Sequence, residues 1–546
     1  MRIHGGKAAA AHWGPGGGIA WVSMAAGAAR RVAIATTAAF GLKFCMSKYE
    51  PVIGLEVHVQ LSTRTKIFCG CPTSFGAEPN SNVCPVCLGL PGSLPVLNRR
   101  AVELGVEAAL ALNCKVNSES IFARKNYFYP DLPKGYQISQ YDRPLAEHGF
   151  VDVHLNNDAR AQADNAVNDT NNSGHGATKR IGITRVHMED DAGKSIHEGF
   201  PDSDRYTYVD LNRSGTPLIE IVTEPDIRSS EEAYQFLTAL KQTLQFLDVS
   251  SCDMEKGHLR CDANVSVRLR GAEKFGTKAE VKNLNSFRFL KQALDYEIER
   301  QVALLESGGR VVQESRLYNP DSGQTASMRS KEHAHDYRYF PEPDLPPLRI
   351  GKDVLASIAG NMPELPAARR KRFIEGYGLR EYDADVLTST RATADYFERV
   401  IAAMGSGAAD ARAAANWVMG DLAAALKQAG KEIGESLVSA ENLGALVGMI
   451  AAKKISGKLA KEIFPKMFET GDAPQAVIDR EGLAQISDEG ALRQIVGEVI
   501  AANPKQVEQY RGGKTAVLGF LVGQVMKASR GQADPEAVNR LLKEKL

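Results

Sequence analysis

The amino-acid pattern changes character at one proline-dense segment, residues 340–347, which reads FPEPDLPP. Before it, from residue 49 onward, apolar and polar residues alternate in short runs separated by Gly, Pro and Asp, the pattern of β-strands joined by turns. Beyond it the chain is rich in Ala and Leu and is broken by glycines, as in successive helices. The sequence therefore predicts an α+β half, then a linker, then an all-α half.

This division leads to four predicted segments. Residues 46–345 form the sheet domain, residues 346–478 a helical domain, and residues 479–546 a small helical tail. Residues 156–178 are rich in Asn, Asp, Ala, Ser and Gly with almost no large apolar side chain, so we expect a mobile insertion. From residue 504 the tail holds eight Lys or Arg against four Asp or Glu. Such a basic tail fits either solvated helices or an RNA-backbone contact.

The first 45 residues differ in composition from the rest of the chain. They contain no acidic residue, and Arg30 and Arg31 precede an apolar run at 32–44 that is too short to span a bilayer. We interpret residues 1–45 as a non-native or disordered extension, with Met46 as the true start. A targeting peptide is the alternative.

The charge balance and the number of cysteines limit the classes of protein to which this chain can belong. Lys plus Arg and Asp plus Glu both number 66, so the whole chain has no net charge to attract nucleic acid, and any RNA contact must be local. Eight cysteines in 546 residues argue against a disulfide framework and favour a reducing compartment with a metal site. We expect a cytoplasmic protein without a membrane partner.

Two of the predicted strands carry a polar face along their length. In residues 55–61, Glu56, His58 and Gln60 alternate with apolar residues. In residues 259–269 the polar set comprises Arg260, Asp262, Asn264, Ser266 and Arg268. Such a face either meets water or lines a charged cleft, and two strands with His and carboxylates favour the cleft.

Acidic residues also run directly into a Gly-Lys-Ser at residues 187–195, HMEDDAGKS. A P-loop would need Gly where Met188 stands, so this is not a Walker motif. A carboxylate cluster beside Gly and Lys suits a Mg²⁺–nucleotide site of another design, although a solvated acidic turn is the simpler alternative.

Further acids fall on predicted strands at Glu56, Glu220, Glu224, Glu255, Asp262 and Glu280. Several of them in one cleft would need a divalent metal, to which His58 could add a nitrogen ligand. Phosphoryl transfer uses such metal ions together with positioned cations, for which Arg260, Lys278 and Lys282 are candidates. Taken singly, each acid is better explained by a surface position or an ion pair.

Two close cysteine pairs give the strongest local signal: Cys69 with Cys71, and Cys84 with Cys87. Each pair can donate two thiolates to one tetrahedral Zn²⁺, and four sulfurs leave no open position. The sequence therefore predicts a structural zinc ribbon at residues 69–87, with four free thiols as the alternative.

Basic residues alternate with aromatic residues at 124–131, RKNYFYPD, followed by Lys134, Tyr136 and Tyr141. This composition suits stacking and phosphate contact with an exposed nucleotide or a tRNA end. A tyrosine-rich core strand fits it equally well.

The order of these motifs resembles one family. The matching segments are VIGLEVHV at 52–59, KNYFYPD at 125–131, YQISQ at 136–140, HMEDDAGKS at 187–195, DLNRSGTPLIEIV at 210–222, LRCDAN at 259–264, KAEVKNLNS at 278–286 and DYRYFPEPD at 336–344. They resemble the B subunits of bacterial glutamyl/aspartyl-tRNA amidotransferases, and the resemblance extends over residues 49–546.

The resemblance implies a fold and a reaction. The fold is a mainly antiparallel sheet cradle, similar to glutamine synthetase, followed by helices and a YqeY-like tail that binds tRNA. The reaction is the ATP-dependent phosphorylation of the side-chain carboxylate of Glu-tRNA(Gln) or Asp-tRNA(Asn). Ammonia channelled from an amidase A subunit then forms the amide, and a small C subunit completes a heterotrimer. ATP, Mg²⁺ and structural Zn²⁺ are the implied cofactors.

The resemblance also implies roles for particular residues. The expected catalytic set is Glu56, His58, Glu189, Asp190, Glu220 and Glu255, of which His58, Glu189, Asp190 and Glu220 would bind magnesium. The expected substrate or nucleotide set is Lys125, Tyr127, Arg260, Asp262, Asn264, Glu280 and Lys282. Many relatives have Glu where this chain has Asp190, so a ligand there would bind through water or leave the role to Glu189.

Two other classes of function also fit parts of the sequence. A non-catalytic zinc-ribbon RNA-binding protein would account for the cysteines and the basic tail. It would leave the acid-lined strands unexplained. A stand-alone carboxylate–amine ligase would leave the helical half without a role.

Overall fold

The structure is a computed structural model, and it describes residues 48–155, 177–328, 337–405, 411–482, 489–529, 533 and 535–546. The predicted extension at 1–45 lies outside the described residues, as does the predicted insertion at 156–178 except for its last two residues. The chain divides into two compact units. One comprises the described residues up to Ala239 together with Cys252–Leu355, and the other comprises Leu240–Ser251 together with Ala356–Leu546.

The first unit contains the β-structure. Its strands are β1 (Tyr49–Gln60), β2 (Lys115–Val116), β3 (Glu119–Ser120), β4 (Phe122–Asn126), β5 (Tyr136–Gln140), β6 (Ala146–Leu155), β7 (Ala177–Asp190), β8 (Lys194–Ile196), β9 (Tyr208–Asp210), β10 (Pro217–Thr223), β11 (Leu259–Leu269), β12 (Ala279–Lys282), β13 (Ser315–Asn319), β14 (Gln324–Ser327), β15 (Phe340–Pro341) and β16 (Leu348–Arg349). Its helices are α1 (Pro85–Leu88), α2 (Arg99–Ala111), the start of α3 (Ser230–Phe246), and α4 (Phe287–Glu306).

Nine of these strands form one sheet in the order β14-β13-β12-β11-β1-β10-β7-β6-β2. The described neighbours pair antiparallel except for β12 with β13. Strand β1 therefore lies at the centre, between β10 and β11, which come much later in the chain. The prediction of an α+β fold with a mainly antiparallel sheet is confirmed.

The central strands have one apolar and one polar face. Val57, Ile221 and Cys261 are aligned across β1, β10 and β11, and all are buried. Helix α2 covers part of this apolar face, because Gly105 approaches Ile219 and Met188 so closely that an added Cβ would meet both side chains within 4 Å. Removing these side chains from water holds the sheet in its register and leaves the opposite, polar face for chemistry.

The proline-dense segment is not a free linker, which corrects the prediction. Strand β15 pairs with β4, and β16 pairs with β3. Arg124 on β4 donates two hydrogen bonds of 2.7 Å to the buried carboxylate of Glu342. The division between the compact units follows this segment, at Leu355 and Ala356.

We expect Glu342→Gln to release this segment. The substitution leaves Arg124 without its bidentate partner, and removing one member of a buried pair costs about 3 kcal/mol. The amide of Glu342, which donates to the carbonyl of Phe122, should exchange its hydrogen about 100-fold faster in mass-spectrometric exchange. Asp344→Asn is the matched control, because Asp344 is 3.3 Å from Arg124 but 36% exposed, and it should change exchange little. Equal exchange in both variants would contradict this role of the ion pair.

The second unit is helical, as the sequence predicts. Its α-helices are α5 (Lys352–Asn361, which starts just before the division), α6 (Pro366–Tyr377), α7 (Glu381–Leu387), α8 (Arg391–Met404), α9 (Ala411–Trp417), α10 (Ala423–Ala429), α11 (Ala440–Ala451), α12 (Gly457–Thr470), α13 (Pro474–Glu481), α14 (Glu489–Ala502), α15 (Pro504–Arg511), α16 (Val517–Ala528) and α17 (Pro535–Lys545). Helices α6 to α13, with Phe246 of α3, share one hydrophobic core, and α14 to α17 share another. Among the described residues, none of the helices is long and apolar enough to cross a bilayer.

Candidate active site

One row of side chains crosses the polar face of the sheet. Cross-strand pairing places His58 of β1 opposite Glu220 of β10 on one side and Arg260 of β11 on the other. Glu220 is in turn opposite His187 of β7, and Glu189 follows two residues later on the same face. The register therefore collects four ionisable side chains from three adjacent strands, with Arg260 at the end of the row.

The four side chains converge on each other. The Nε2 atom of His58 is 3.4 Å from a carboxylate oxygen of Glu189 and 3.4 Å from one of Glu220. The Nε2 atom of His187 is 3.2 Å from Glu220 and 3.8 Å from Glu189. We call His58, His187, Glu189 and Glu220 the carboxylate–histidine cluster. Ligand atoms of His58, Glu189 and Glu220 all lie within 4.8 Å of one another, close enough to share one metal ion.

The carboxylates and the imidazoles of the cluster attract each other, and this attraction favours their charged forms although burial disfavours them. Burial lowers the pKa of His187, but the charge of Glu220 and the hydrogen bonds that the imidazole donates to both carboxylates raise it to about 9. The pKa of His58 is also raised, because Glu220 and Glu189 outweigh its burial and the charge of Arg260. Burial acts to raise the pKa of Glu220, yet the two histidines hold it well below the usual range. Two buried carboxylates thus require nearby positive charge, which a cation could supply.

Asp190 and Asp191 do not join this cluster. Asp190 points to the other side of β7, where Lys134 pairs with it and the amide of Ile138 donates a hydrogen bond of 2.7 Å. Burial raises the pKa of Asp190 despite these partners. Asp191 is 2.9 Å from the guanidinium of Arg260. The structure thus separates the three consecutive acids, and only Glu189 enters the cluster.

A second polar group lies on β1, β11 and β12, on the same face. Asn264 donates to Glu56 over 2.9 Å. Lys282 is 2.6 Å from Asp262 and 2.7 Å from Glu280. Burial lowers and these two carboxylates raise the pKa of Lys282, with a net rise, so its ammonium stays charged. The predicted substrate or nucleotide residues of these strands therefore share one face with the cluster.

The remaining predicted residues lie outside the nine-stranded sheet. Lys125 lies in the last part of β4, and Tyr127 follows that strand. The Lys125 Nζ atom is 4.9 Å from the centre of the Tyr337 ring. Glu255 is exposed in the turn before β11, so the prediction that it lies on a strand is wrong. Gly257, two residues later, favours a turn at this point of the chain.

The four predicted zinc ligands come together. Sγ atoms of Cys69, Cys71, Cys84 and Cys87 lie within 4.8 Å of one another. A hydrogen bond from Cys69 is the main factor that lowers the pKa of Cys87, to about 4, whereas burial raises that of Cys71 to about 11. A cluster in which one thiol readily ionises and four sulfurs converge fits a tetrahedral Zn²⁺.

A buried lysine supports the cysteine cluster. Lys66 is 0% exposed, and its Nζ atom is 3.6 Å from the sulfur of Cys87. It also donates to the carbonyls of Asn82 and Leu211, over 2.7 and 3.4 Å. Its positive charge offsets the net negative charge that four thiolates bound to a divalent metal would carry.

Sequence reasoning missed three members of these sites: His187, Lys66 and Lys134. His187 could have been found, because it precedes Glu189 by two residues on a strand and must share its face. Lys66 carried no local signal, and Lys134 was named from the sequence only within the basic and aromatic segment; each acts on residues that are distant in the chain.

Comparisons with known proteins show the family of the chain. The model of the GatB/GatE catalytic domain matches residues 51–356, and a second model, of a GatB domain, matches residues 395–546. The chain is 54% identical over 501 residues to the B subunit of the aspartyl/glutamyl-tRNA(Asn/Gln) amidotransferase of Carboxydothermus hydrogenoformans, with 92% of this chain and 99% of the relative covered. It is 54% identical to the B subunit of the same name from Geobacter sulfurreducens, with 91% and 99% covered. The B subunit of Persephonella marina is 51% identical, with 91% and 100% covered. This chain therefore belongs to the GatB family, the B subunits of aspartyl/glutamyl-tRNA(Asn/Gln) amidotransferases.

Proposed function

We propose that this chain is the transamidating subunit that converts Glu-tRNA(Gln) to Gln-tRNA(Gln), Asp-tRNA(Asn) to Asn-tRNA(Asn), or both, with ATP and glutamine. The relatives' names include both tRNAs. The observation that carries the proposal is the carboxylate–histidine cluster on the polar face of the sheet. Two acids and two histidines that converge there suit the binding of a metal–nucleotide better than any structural role.

The reaction needs an activated carboxyl group. The side-chain carboxylate of the mischarged amino acid is a poor acyl donor, because oxide is a poor leaving group. Transfer of the γ-phosphoryl group of ATP to that carboxylate gives an acyl phosphate and ADP. Ammonia then attacks the acyl carbon, phosphate leaves, and the amide remains on the tRNA. The chain's own task is to hold both reactants and balance the charge on the transferred group.

The residues of the cluster fit a divalent cation. Glu189 and Glu220 supply the hard oxygen ligands that Mg²⁺ prefers, and His58 lies within reach of both. Bound there, Mg²⁺ would neutralise phosphate charge during transfer. His187 contacts the same carboxylates from the other side and orients them. Asp190 is not a ligand in this arrangement, because it points to the other side of β7 and Lys134 pairs with its carboxylate.

The neighbouring residues suit the substrate and nucleotide side of the cleft. Arg260 stands at the end of the row beside His58, where a cation could meet phosphate oxygens. Asp262, on the same strand as Arg260, forms a linked group with Glu280 and Lys282 of the adjacent strand β12. Glu56 and Asn264 form a neighbouring pair on β1 and β11. We assign these five positions, together with Arg260, to binding rather than to metal coordination. Lys125 and Tyr127 are assigned to substrate as well.

The cysteine cluster would hold a structural Zn²⁺. Four sulfurs complete a tetrahedral shell, so no position is left for catalysis. Lys66 favours the loaded state, because its buried charge offsets the surplus negative charge of the site. The metal would fix the loop at 69–87, which has little hydrophobic core of its own.

The chain would act in an assembly. Its relatives are named as B subunits, so other subunits exist in those enzymes. We propose an amidase A subunit as the source of ammonia and a small C subunit as the third member, in the cytoplasm. The GatB domain match at 395–546 includes the basic tail, which we propose contacts the tRNA.

The decisive experiment is transamidation by the reconstituted complex. The chain, purified with its A and C partners, should convert Glu-tRNA(Gln) or Asp-tRNA(Asn) to the amide only when both ATP and glutamine are present. ATP hydrolysis that depends on mischarged tRNA is the accompanying sign of the phosphorylation step. A complete, folded complex that binds tRNA but hydrolyses no ATP would instead identify a non-catalytic RNA-binding protein.

A further inference from the structure

Five tyrosines form one continuous row of ring contacts in the first unit. In order along the row they are Tyr129, Tyr127, Tyr337, Tyr339 and Tyr141. Successive ring centres are 5.9, 6.0, 5.9 and 4.1 Å apart. The last pair is stacked with an angle of 7° between the rings, and the others meet edge to face. We call this set the tyrosine row.

The row is built by a small sheet and is open to solvent. The sheet has the order β15-β4-β5; Tyr127 follows β4, Tyr141 follows β5, and Tyr339 precedes β15. The outer rings, Tyr129 and Tyr141, are 55% and 50% exposed. Both ends of the row are therefore within reach of a ligand, whereas Tyr127, Tyr337 and Tyr339 are half-buried.

The middle of the row is linked to the carboxylate–histidine cluster through β5. The hydroxyl of Tyr127 donates a hydrogen bond of 3.4 Å to Gln137, and the hydroxyl of Ser139 on the same strand donates one of 3.4 Å to Glu189. Burial, together with the charges of Glu189, Asp190 and Asp191, raises the pKa of Tyr127. Burial, the neighbouring Tyr337, and the charges of Glu220 and Glu189 raise that of Tyr339. The carboxylates that would act on a substrate are therefore close enough to influence both rings.

The ammonium group of one lysine lies close to two of the rings. The Lys125 Nζ atom is 4.9 Å from the centre of Tyr337 and 5.9 Å from that of Tyr127. Aromatic faces in series with a nearby cation are the features by which proteins bind single-stranded nucleic acid: bases stack on the rings and the cation meets phosphate. A mononucleotide such as ATP has one base, whereas the row offers several ring faces in succession.

We propose that the tyrosine row binds the unpaired 3′-terminal nucleotides of the charged tRNA and so places the aminoacyl ester beside the carboxylate–histidine cluster. This inference rests on the proposed function, because it names the part of that substrate which the row recognises. The tyrosines are positioning residues, since they touch bases rather than the reacting carboxyl group.

The test measures stacking directly. The probe is tRNA(Gln) with 2-aminopurine at its 3′-terminal position, added to the complex of this chain with its A and C partners. Stacking on a tyrosine quenches the fluorescence of 2-aminopurine. Tyr129→Leu and Tyr141→Leu should weaken binding of the probe about tenfold and reduce quenching, because stacking contributes about 1–3 kcal/mol per base. Tyr129→Phe and Tyr141→Phe keep a ring and should retain both signals.

Tyr206→Leu is the matched control, because Tyr206 is 58% exposed and lies outside the row. It should leave binding and quenching unchanged, and all variants should keep the KM for ATP. Leu variants that bind and quench like the wild type would overturn the proposal. So would equal losses in the Leu and Phe variants, or a loss that appears in the KM for ATP instead. A wild-type complex that quenches the probe in a ring-dependent way but amidates no mischarged tRNA would support the row while refuting the proposed function.

Discussion

Glu220→Gln should abolish ATP-dependent amide formation while leaving the chain folded. Among the described residues, Glu220 is the one carboxylate within 3.4 Å of both histidines of the cluster. The amide keeps the shape of the side chain but removes its negative charge, so an incoming cation would meet one carboxylate, that of Glu189, instead of two. Loss of supporting groups around a metal already costs about 10–100-fold, so loss of this ligand should lower kcat at least about 100-fold. The measurement is single-turnover amidation of Glu-tRNA(Gln) with saturating ATP and glutamine.

Glu224→Gln is the matched control for this variant. Glu224 lies just beyond the same strand and is exposed. Among the contacts described for this part of the chain, it forms hydrogen bonds only with Thr184 and with the backbone. It should retain wild-type turnover. Glutaminase activity of the A partner should persist in both variants, because it does not need the cluster. Normal turnover by Glu220→Gln would remove Glu220 from the site and leave the proposed metal without its central ligand.

Cys87→Ser should remove the metal from the cysteine cluster and destabilise the first unit. Cys87 is buried and contacts Cys84, Cys69 and Lys66. A serine oxygen is a poor zinc ligand, and without the metal Lys66 faces three unpaired sulfurs. Metal analysis should give one zinc per wild-type chain and none for the variant. Because structural zinc contributes to folding free energy, the Tm of the first unit should fall on the order of 10 °C.

Cys261→Ser provides the comparison. Cys261 is also buried, but it lies on the apolar face of β11, away from the cluster. It should keep a full zinc content despite a modest loss of stability. A wild-type chain that contains no zinc after purification without chelators would contradict the assignment, as would a Cys87→Ser variant that retains it.

The sequence was most informative where one local pattern decides the structure. Alternation placed Glu56 and His58 on one face of a strand, as the structure shows for β1. The cysteine spacing likewise brought four sulfurs together. In each case the determining residues lie within about one element.

The rest depended on contacts between distant segments. From the sequence, Asp190 was grouped with Glu189 as a magnesium ligand, whereas Asp190 points to the other side of β7, where the packing of β5 against that strand gives it Lys134 as a partner. Composition suggested a linker at 340–347, whereas the Arg124–Glu342 ion pair makes it part of a sheet. Strand register, which no local pattern encodes, is what joined His58, Glu220 and His187 into one row.

The position of β1 at the centre of the sheet has a consequence for synthesis on the ribosome. Its partners β10 and β11 follow much later, and Asn264 is 208 residues beyond the Glu56 that it contacts. At about 5–20 residues per second, β1 waits on the order of 10–40 s for them. The cysteine loop at 69–87 is local and can close early in that interval. Until β10 emerges, the nascent chain carries a twelve-residue strand with both edges open, the kind of segment that invites wrong pairing.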